Sequence, residues 1–358
     1  MIKEKIRVAI IGTGRISDLH AIEYIHNPDV EIVSLCDSDI ELAKTRAKKW
    51  GCSNSVKIEK DIDKVLADND VDMVELLLPH HLHLPEALKS IEAGKIISLQ
   101  KPMCLNLEEA DKLVNAVKGY DKPFKVFENF LFYPPVIKAK ELVDEGAIGK
   151  PLSIRIKSNF GIGDEAWHVP KYARTWRRQT NKSGGGPAVF DDGHHKFALA
   201  RYFMGNPDRV HAFIGNTTDH NGDWMDTQSQ ISFHFPQNRI GNFEIVYSPK
   251  LKISGKYYAQ DDRVEITGTH GVLWINCGHG RIGNFPPVVV YRDDEVKEYR
   301  EINIGWEQSF ILSTRHFIKV LKEGGDPVLT VTQARDILKF SLAAQESAQK
   351  NKTIDLKY

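Results

Sequence analysis

The chain is poor in the features that mark several protein classes. Only four cysteines occur in 358 residues, Cys36, Cys52, Cys104 and Cys277, and no two stand in a CxxC spacing. Zinc ribbons and disulfide frameworks are not indicated, and a reducing, cytoplasmic setting fits best. No apolar run is long enough to span a membrane. The opening MIKEKIRVAIIG is charged and then apolar for only a few residues, too short for a signal peptide. Charge of one sign is also missing in excess, because Lys plus Arg and Asp plus Glu number 48 each. Such a balance gives no reason to expect a nucleic-acid or membrane partner. Repeats, low-complexity tracts and long linkers are absent too. The remainder, 41% hydrophobic and 27% charged, suits a globular protein, and the length suits two domains.

What is present begins with an alternation. The β-branched run 6-IRVAII-11 stops at Gly12-Thr13-Gly14-Arg15-Ile16-Ser17, and a helical pattern follows. Next come 31-EIVSLCD-37, a helix over 41–49, the apolar 71-VDMVELLLP-79, a helix over 84–93 closed by Gly94, and 95-KIISLQ-100. Strands alternating with helices predict right-handed crossovers and a parallel sheet. In a strand-to-helix turn, Gly12 permits the tight bend and Gly14 lets the backbone approach a pyrophosphate seated on the helix N-terminus. The third small position is Ser17 rather than glycine. Asp37 closes the second strand, where an acid would hold the adenosine ribose hydroxyls. An acid there repels a 2′-phosphate, and the next residue, Ser38, is not an arginine. NAD is therefore expected over NADP, against the alternative of a phosphate-free structural turn.

From about residue 151 the pattern changes to strands with polar alternation, at 152–160, 209–216, 228–235, 240–248 and 263–269. That predicts an antiparallel or mixed sheet with one face open. Helices are expected at 134–145, 193–204, 307–323 and 332–351. The densest chemistry lies in 190-FDDGHHKFALARYFMG-205. Asp191 and His195 are four apart, so a helical turn faces both one way. A carboxylate that fixes the imidazole tautomer makes His195 a competent base near neutral pH, with Asp191 as its orienter. The plain alternatives are an N-cap and a satisfied histidine. A metal site would need distant ligands that the sequence does not offer, so no metal is expected. Asp192 reads as a cap or salt-bridge residue and His194 as a substrate contact. The segment 166-AWHVPKYARTWRRQTNK-182 offers Trp167, His168 and Arg177 to a sugar ring, or else is a basic surface loop.

Along nearly its whole length the chain resembles the glucose–fructose oxidoreductase and inositol dehydrogenase family (Gfo/Idh/MocA). The resemblance is carried by VAIIGTGRIS, LLLPHHLHLPEAL with Pro79 and His83, AGKIISLQKPMCLN, NFLFYPP with Asn129, 184-GGGPAVFDDGHH-195 and EITGTHGVL. It implies an α/β chain: an N-terminal Rossmann NAD-binding domain over 1–125, then an α+β substrate domain over 126–358 with a large open, mainly antiparallel sheet. It also implies reversible hydride transfer between nicotinamide and a hydroxyl of a sugar or cyclitol. Lys101 is the family's catalytic lysine, and Gly12, Gly14, Arg15, Ile16, Asp37, Pro79, His83, Gln100 and Lys101 are the implied cofactor contacts. His194, Asn129, Trp167, His168 and Arg177 are the implied substrate contacts. Lys101 precedes Pro102 at a strand end; it could hydrogen-bond the reacting hydroxyl, stabilise alkoxide or share a proton relay.

Two positions depart from the pattern. Gln100 replaces the usual Glu, removing an opposite charge beside Lys101 and tending to lower that lysine's pKa relative to its relatives. Leu131 stands where many members have Arg. The segment around WRR and GGGPAVFDDGHH resembles members that oxidise the 3-hydroxyl of glycosides. The alternative is an NAD-dependent glycosidase that oxidises transiently, eliminates and re-reduces. A homodimer or homotetramer follows from the resemblance alone.

Overall fold

The computed structural model describes residues 5–163, 166–167 and 169–358. The chain forms two compact units, Met1–Asn129 with Ser309–Leu338, and Phe130–Gln308 with Lys339–Tyr358. This differs from an undivided second domain over 126–358. The reason is packing: Phe317, Ile318 and Val320 close the first unit's core with Val8, Ile10, Leu35 and Met73, so a late helix serves the early sheet.

In the first unit six strands, β1 (Ile6–Ile11), β2 (Val30–Cys36), β3 (Lys57–Glu59), β4 (Met73–Leu76), β5 (Ile96–Gln100) and β6 (Phe124–Phe127), pair in parallel in the order β3-β2-β1-β4-β5-β6. That is the doubly wound order in which ligands bind beyond the strand carboxyl ends, where the order reverses beside β1. The strands are apolar because both faces are covered by helices. Those used below are α1 (Ser17–His26), α2 (Ile40–Lys49), α3 (Ile62–Ala67), α4 (His83–Glu92) and α5 (Leu107–Lys118). Asp39, Asp61 and Asn106 cap α2, α3 and α5 with their side chains, whereas α1 starts at Ile16 with no side-chain cap. β3 and β6 are too short to show a period in the sequence.

The second unit is built on a nine-stranded sheet. Its strands are β7 (Pro151–Ile162), β8 (Arg209–Phe213), β11 (Ser229–Phe235), β12 (Arg239–Lys252), β13 (Gln260–Gly268), β14 (Gly271–Ile275), β15 (Val288–Arg292), β16 (Glu295–Tyr299) and β17 (Ile354–Asp355). The short β9 (Thr217–Thr218) and β10 (Trp224–Met225) pair separately. Only β7 and β12 run parallel; the other neighbours are antiparallel. Period-two burial puts Ile154, Ile156, Phe243, Ile245, Val264 and Ile266 on the covered face. The helix Gly193–Met204 lies on it, with Phe197 edge-on to Phe243 at 5.8 Å and 4.7 Å from Phe340. Among the described residues no helix is long and apolar enough to cross a membrane.

Candidate active site

The glycine turn after β1 is shaped as its sequence requires. Gly12 has φ +94°, and a Cβ there would stand 2.4 Å from the Leu77 carbonyl oxygen. No L-side chain fits that approach between β1 and β4. A Gly12→Ala variant is expected to lose about 1–3 kcal/mol from the positive φ alone, more with the clash, and to lose NAD binding; melting with and without NAD checks both. Beside Gly14 there is nothing within 4 Å of a Cβ, so the backbone lies open. Ser17, the degraded third position, is fully buried and donates its hydroxyl to the Gly14 carbonyl at 2.6 Å, fastening the turn to α1. An open glycine backbone and a helix start without a side-chain cap suit a pyrophosphate.

Asp37 lies past the end of β2, but its carboxylate also works within the protein. Oδ2 accepts from the Thr13 N–H at 2.7 Å and the Thr13 hydroxyl at 2.9 Å, and Oδ1 accepts from the Asp39 N–H at 2.9 Å. An Asp37→Ala change therefore releases the glycine turn as well as any ribose contact. A loss of about tenfold or more in NAD affinity is expected, read by titrating NAD and NADP in parallel.

His83 is not on an open face. It is fully buried, and its two ring nitrogens lie 2.7 Å from the Pro102 carbonyl and 2.9 Å from the Leu78 carbonyl. His83 thus ties together the loops after β4 and β5. Pro79 sits between those anchors, and Lys101 follows β5 directly. Gln100 accepts the Lys101 N–H on Oε1 at 2.8 Å and points its nitrogen at His20. Its carboxamide is thus committed to main chain and to a histidine. Asn129 is likewise turned inward, donating to the Ser309 hydroxyl at 2.8 Å with 2% of its surface exposed.

In the second unit the Asp-rich segment begins with a π-helical turn, Pro187–Asp192, before the α-helix from Gly193. The sequence suggests one continuous helical start. What widens the turn is Asp226, whose carboxylate accepts from the N–H groups of Ala188 and Val189 at 2.7 and 2.9 Å. Burial raises the Asp226 carboxyl pKa against those bonds. Gly186 makes room, since a Cβ there would meet the Asp226 carboxylate at 2.0 Å.

Asp191 is brought to Arg177, which donates from Nε at 3.1 Å. Arg177 also lies 4.4 Å from the Trp176 ring. The His195 ring stacks on Phe130, with centroids 4.6 Å apart at 28°, and lies 6.5 Å from His279. His194 has no exposed surface. Asp192 is a salt-bridge residue, accepting from Lys196 at 2.8 Å and from Gln260 at 2.9 Å. Trp167 meets Tyr257 edge-on at 4.8 Å. His168 lies outside the described residues. Among the described residues no three His, Cys, Asp or Glu side chains form a group that could hold a metal.

Sequence reasoning missed the polar centre beside His195. Lys196 is 1% exposed, lies 3.3 Å from Asp262 and sits 4.9 Å over the Phe130 ring. Asp262 also accepts from Ser158 at 2.6 Å and Gln260 at 2.9 Å, and stands 3.1 Å from His279 Nδ1. Burial alone would push the Asp262 carboxyl up; Lys196, His279 and Ser158 outweigh it and hold it well below the carboxylate range. His279 in turn lies 4.6 Å from Trp306, 5.3 Å from Tyr258 and 5.1 Å from Phe130. The residues come from β7, the helix Gly193–Met204, β13 and the loop after β14, so no single stretch advertises them.

The first unit thus offers a dinucleotide turn and a lysine at the sheet's carboxyl edge. The second offers a histidine among aromatic rings, with a carboxylate–arginine pair four residues before it. Residues 6–128 match the family described as "Oxidoreductase family, NAD-binding Rossmann fold", and residues 136–274 match "GFO/IDH/MocA C-terminal domain". The chain belongs to the Gfo/Idh/MocA family. Residues 6–128 are accordingly an NAD-binding Rossmann domain of an oxidoreductase family. Levoglucosan dehydrogenase of Pseudarthrobacter phenanthrenivorans is 31% identical over 221 residues, covering 59% of this chain and 54% of that protein. D-glucoside 3-dehydrogenase of Escherichia coli is 28% identical over 210 residues, covering 58% and 56%. The chain therefore spans about half the length of each of these two curated relatives. A solved levoglucosan dehydrogenase, in complex with NADH and levoglucosan, shares the fold at TM-score 0.82 and 22% identity, over 99% of this chain and all of that one.

Proposed function

We propose that this chain is an NAD-dependent dehydrogenase acting on a secondary hydroxyl of a sugar, cyclitol or glycoside, in its narrowest form the 3-hydroxyl of a glycoside. The observation that carries the reading is Lys101 placed directly after β5, at the carboxyl edge of a β3-β2-β1-β4-β5-β6 parallel sheet. NAD supplies the hydride acceptor when bound. The glycine turn with Arg15 and Ile16, Asp37 and the Pro79 loop hold it. His195 takes the hydroxyl proton, with its ring plane set by Phe130. Asp191, fixed by Arg177, supplies the carboxylate that favours the imidazolium. The Lys101 ammonium stabilises the developing alkoxide. Trp167, Tyr257, Tyr258 and Trp306 provide aromatic planes for a pyranose ring.

The test is growth of reduced-nicotinamide absorbance when the protein and NAD meet a panel of sugars, inositols and glycosides. Growth with one class supports the reading and names the substrate class. Aglycone release without that growth would replace it with the transient-oxidation glycosidase, which the dehydrogenase names of the relatives do not favour.

The same reading places the enzyme in the cytoplasm. Its four cysteines are free thiols, and burial, with Asp37 second, pushes the Cys36 thiol up to about 12, so it resists oxidation. Self-association through the open face of the nine-stranded sheet is part of the proposal, supported by Phe213 and Ile240 standing 63% and 57% exposed. Light scattering of wild type and a Phe213→Lys, Ile240→Lys variant is expected to show a smaller assembly for the variant.

A further inference from the structure

A buried polar chain crosses the middle of the first unit's apolar sheet. Glu75, in β4, has no exposed surface, and the Tyr24 hydroxyl from α1 donates to its Oε2 at 2.5 Å. His20, also on α1 and fully buried, places Nδ1 2.8 Å from Glu75 Oε1, a contact bent away from the ideal hydrogen-bond line. The ring's other nitrogen, Nε2, lies 2.8 Å from the Gln100 side-chain nitrogen. Gln100 Oε1 meanwhile accepts from the Lys101 N–H at 2.8 Å.

Donor and acceptor roles settle one after another. A backbone N–H only donates, so the amide oxygen of Gln100 must face Lys101. An amide nitrogen also only donates, so His20 Nε2 must carry no proton. The ring's single proton then sits on Nδ1, toward the Glu75 carboxylate. A flipped Gln100 fails, since it would set two donors against each other at Lys101. The remaining neighbours are Phe127 at 4.1 Å, Phe310 at 5.1 Å, and Lys125 on β6. Burial lowers the Lys125 pKa to about 7, against the pull of Glu75. Lys125 donates to the Ser313 carbonyl at 2.8 Å.

His83, on α4, is held differently. It is fully buried, and each ring nitrogen lies at hydrogen-bond distance from a carbonyl oxygen, of Pro102 and of Leu78, so a proton on the ring is donated to main chain.

We propose that His20 and His83 are positioning residues for Lys101. His20 reaches the lysine's own main chain through Gln100, and His83 grips the carbonyl of the next residue, Pro102. His20 does so as a neutral ring with its proton on Nδ1. Two fixed anchors on consecutive residues limit how far the lysine's Cα can wander, which is what a catalytic ammonium needs. The proposal rests on the reading that Lys101 serves hydride transfer, and the experiment keeps the two separable.

The experiment is nitrogen NMR of the full chain labelled at histidine and lysine, with hydrogen exchange of the Lys101 amide, at neutral pH and without substrate. The expected spectrum shows His20 protonated at Nδ1 and bare at Nε2. Gln100→Met removes both amide bonds at similar length. It is expected to speed Lys101 amide exchange about tenfold or more while amides of β1 keep their protection. Gln100→Glu puts an acceptor before His20 Nε2, and the ring should gain its second proton. With a substrate in hand, Gln100→Met should lower kcat by up to about 100-fold.

A wild-type His20 protonated at Nε2, unchanged Lys101 exchange in Gln100→Met, or an unchanged kcat would each overturn the proposal. If the signatures are present but the wild type oxidises nothing, the clamp stands and the dehydrogenase reading falls. If turnover is present without the signatures, the clamp alone falls.

Discussion

Lys101→Ala is expected to lower kcat by about 10²–10⁴-fold on whichever substrate the absorbance panel identifies. His195→Ala should cost a similar factor. The reasoning is that oxidation of an alcohol needs a proton acceptor and a cationic group near the forming alkoxide at the same moment. Lys101 stands at a strand carboxyl end with its main chain bonded to Gln100. His195 stands against Phe130 in a nearly closed aromatic setting, 5% exposed. Under the proposed mechanism both act on one step, so the double variant should be far less damaged than the product of the two single losses. Steady-state rates and equilibrium NAD titrations for the three variants are the measurement. Full activity of Lys101→Ala would remove the lysine from the mechanism, and strictly multiplicative losses would show that the two residues serve different steps.

The order of strands and helices in the first unit was readable because parallel strands, buried on both faces, write themselves as apolar runs ending at glycine or acid. The runs from Ile6, Glu31 and Lys95 each fall on a strand in the structure. The helices at 134–145, 193–204 and 307–323 were equally plain, since each carries a sustained helical period. Short strands such as Lys57–Glu59 and Glu295–Tyr299 were not, because three to five residues hold too little pattern. The return of Ser309–Leu338 to the first unit was also hidden, because periodicity tells which face of a helix is buried but not against what.

The candidate site divides along the same line. Residues joined by short spacing, Gly12 with Gly14 and Asp191 with His195, stood out in the sequence. Partners set by tertiary pairing did not. Asp226 reaches the turn at Ala188 from 38 positions away, and His20 reaches Gln100 from 80. At Asp191 the spacing told only part of the geometry: the segment opens as a π turn, and the carboxylate accepts from Arg177, 14 positions away.

Lys196→Met should be the most destabilising single change in the second unit, at about 3–5 kcal/mol, because it removes one partner of a buried charge cluster and strands the others. The lysine is 1% exposed and lies within 3.3 Å of Asp262 and 2.8 Å of Asp192. Methionine fills similar volume, so the loss reports charge rather than a cavity. The pH dependence has a definite sign. Asp262 is held below its unfolded value, so its stabilisation is present above the unfolded carboxyl pKa of about 3.9 and lost as pH falls through the folded one. Without Lys196 that hold weakens. The deficit of the variant should therefore be greatest near neutral pH and shrink in acid, where the stranded carboxylates take up protons. Denaturant unfolding of wild type and variant across that range, followed by tryptophan fluorescence, measures it. Adding Asp262→Asn to Lys196→Met should cost much less than the sum of the two, since the partners of one buried pair do not contribute independently. A loss below about 1 kcal/mol for Lys196→Met, or a deficit that grows in acid, would mean that water or neighbouring dipoles rather than Lys196 balance the Asp262 charge.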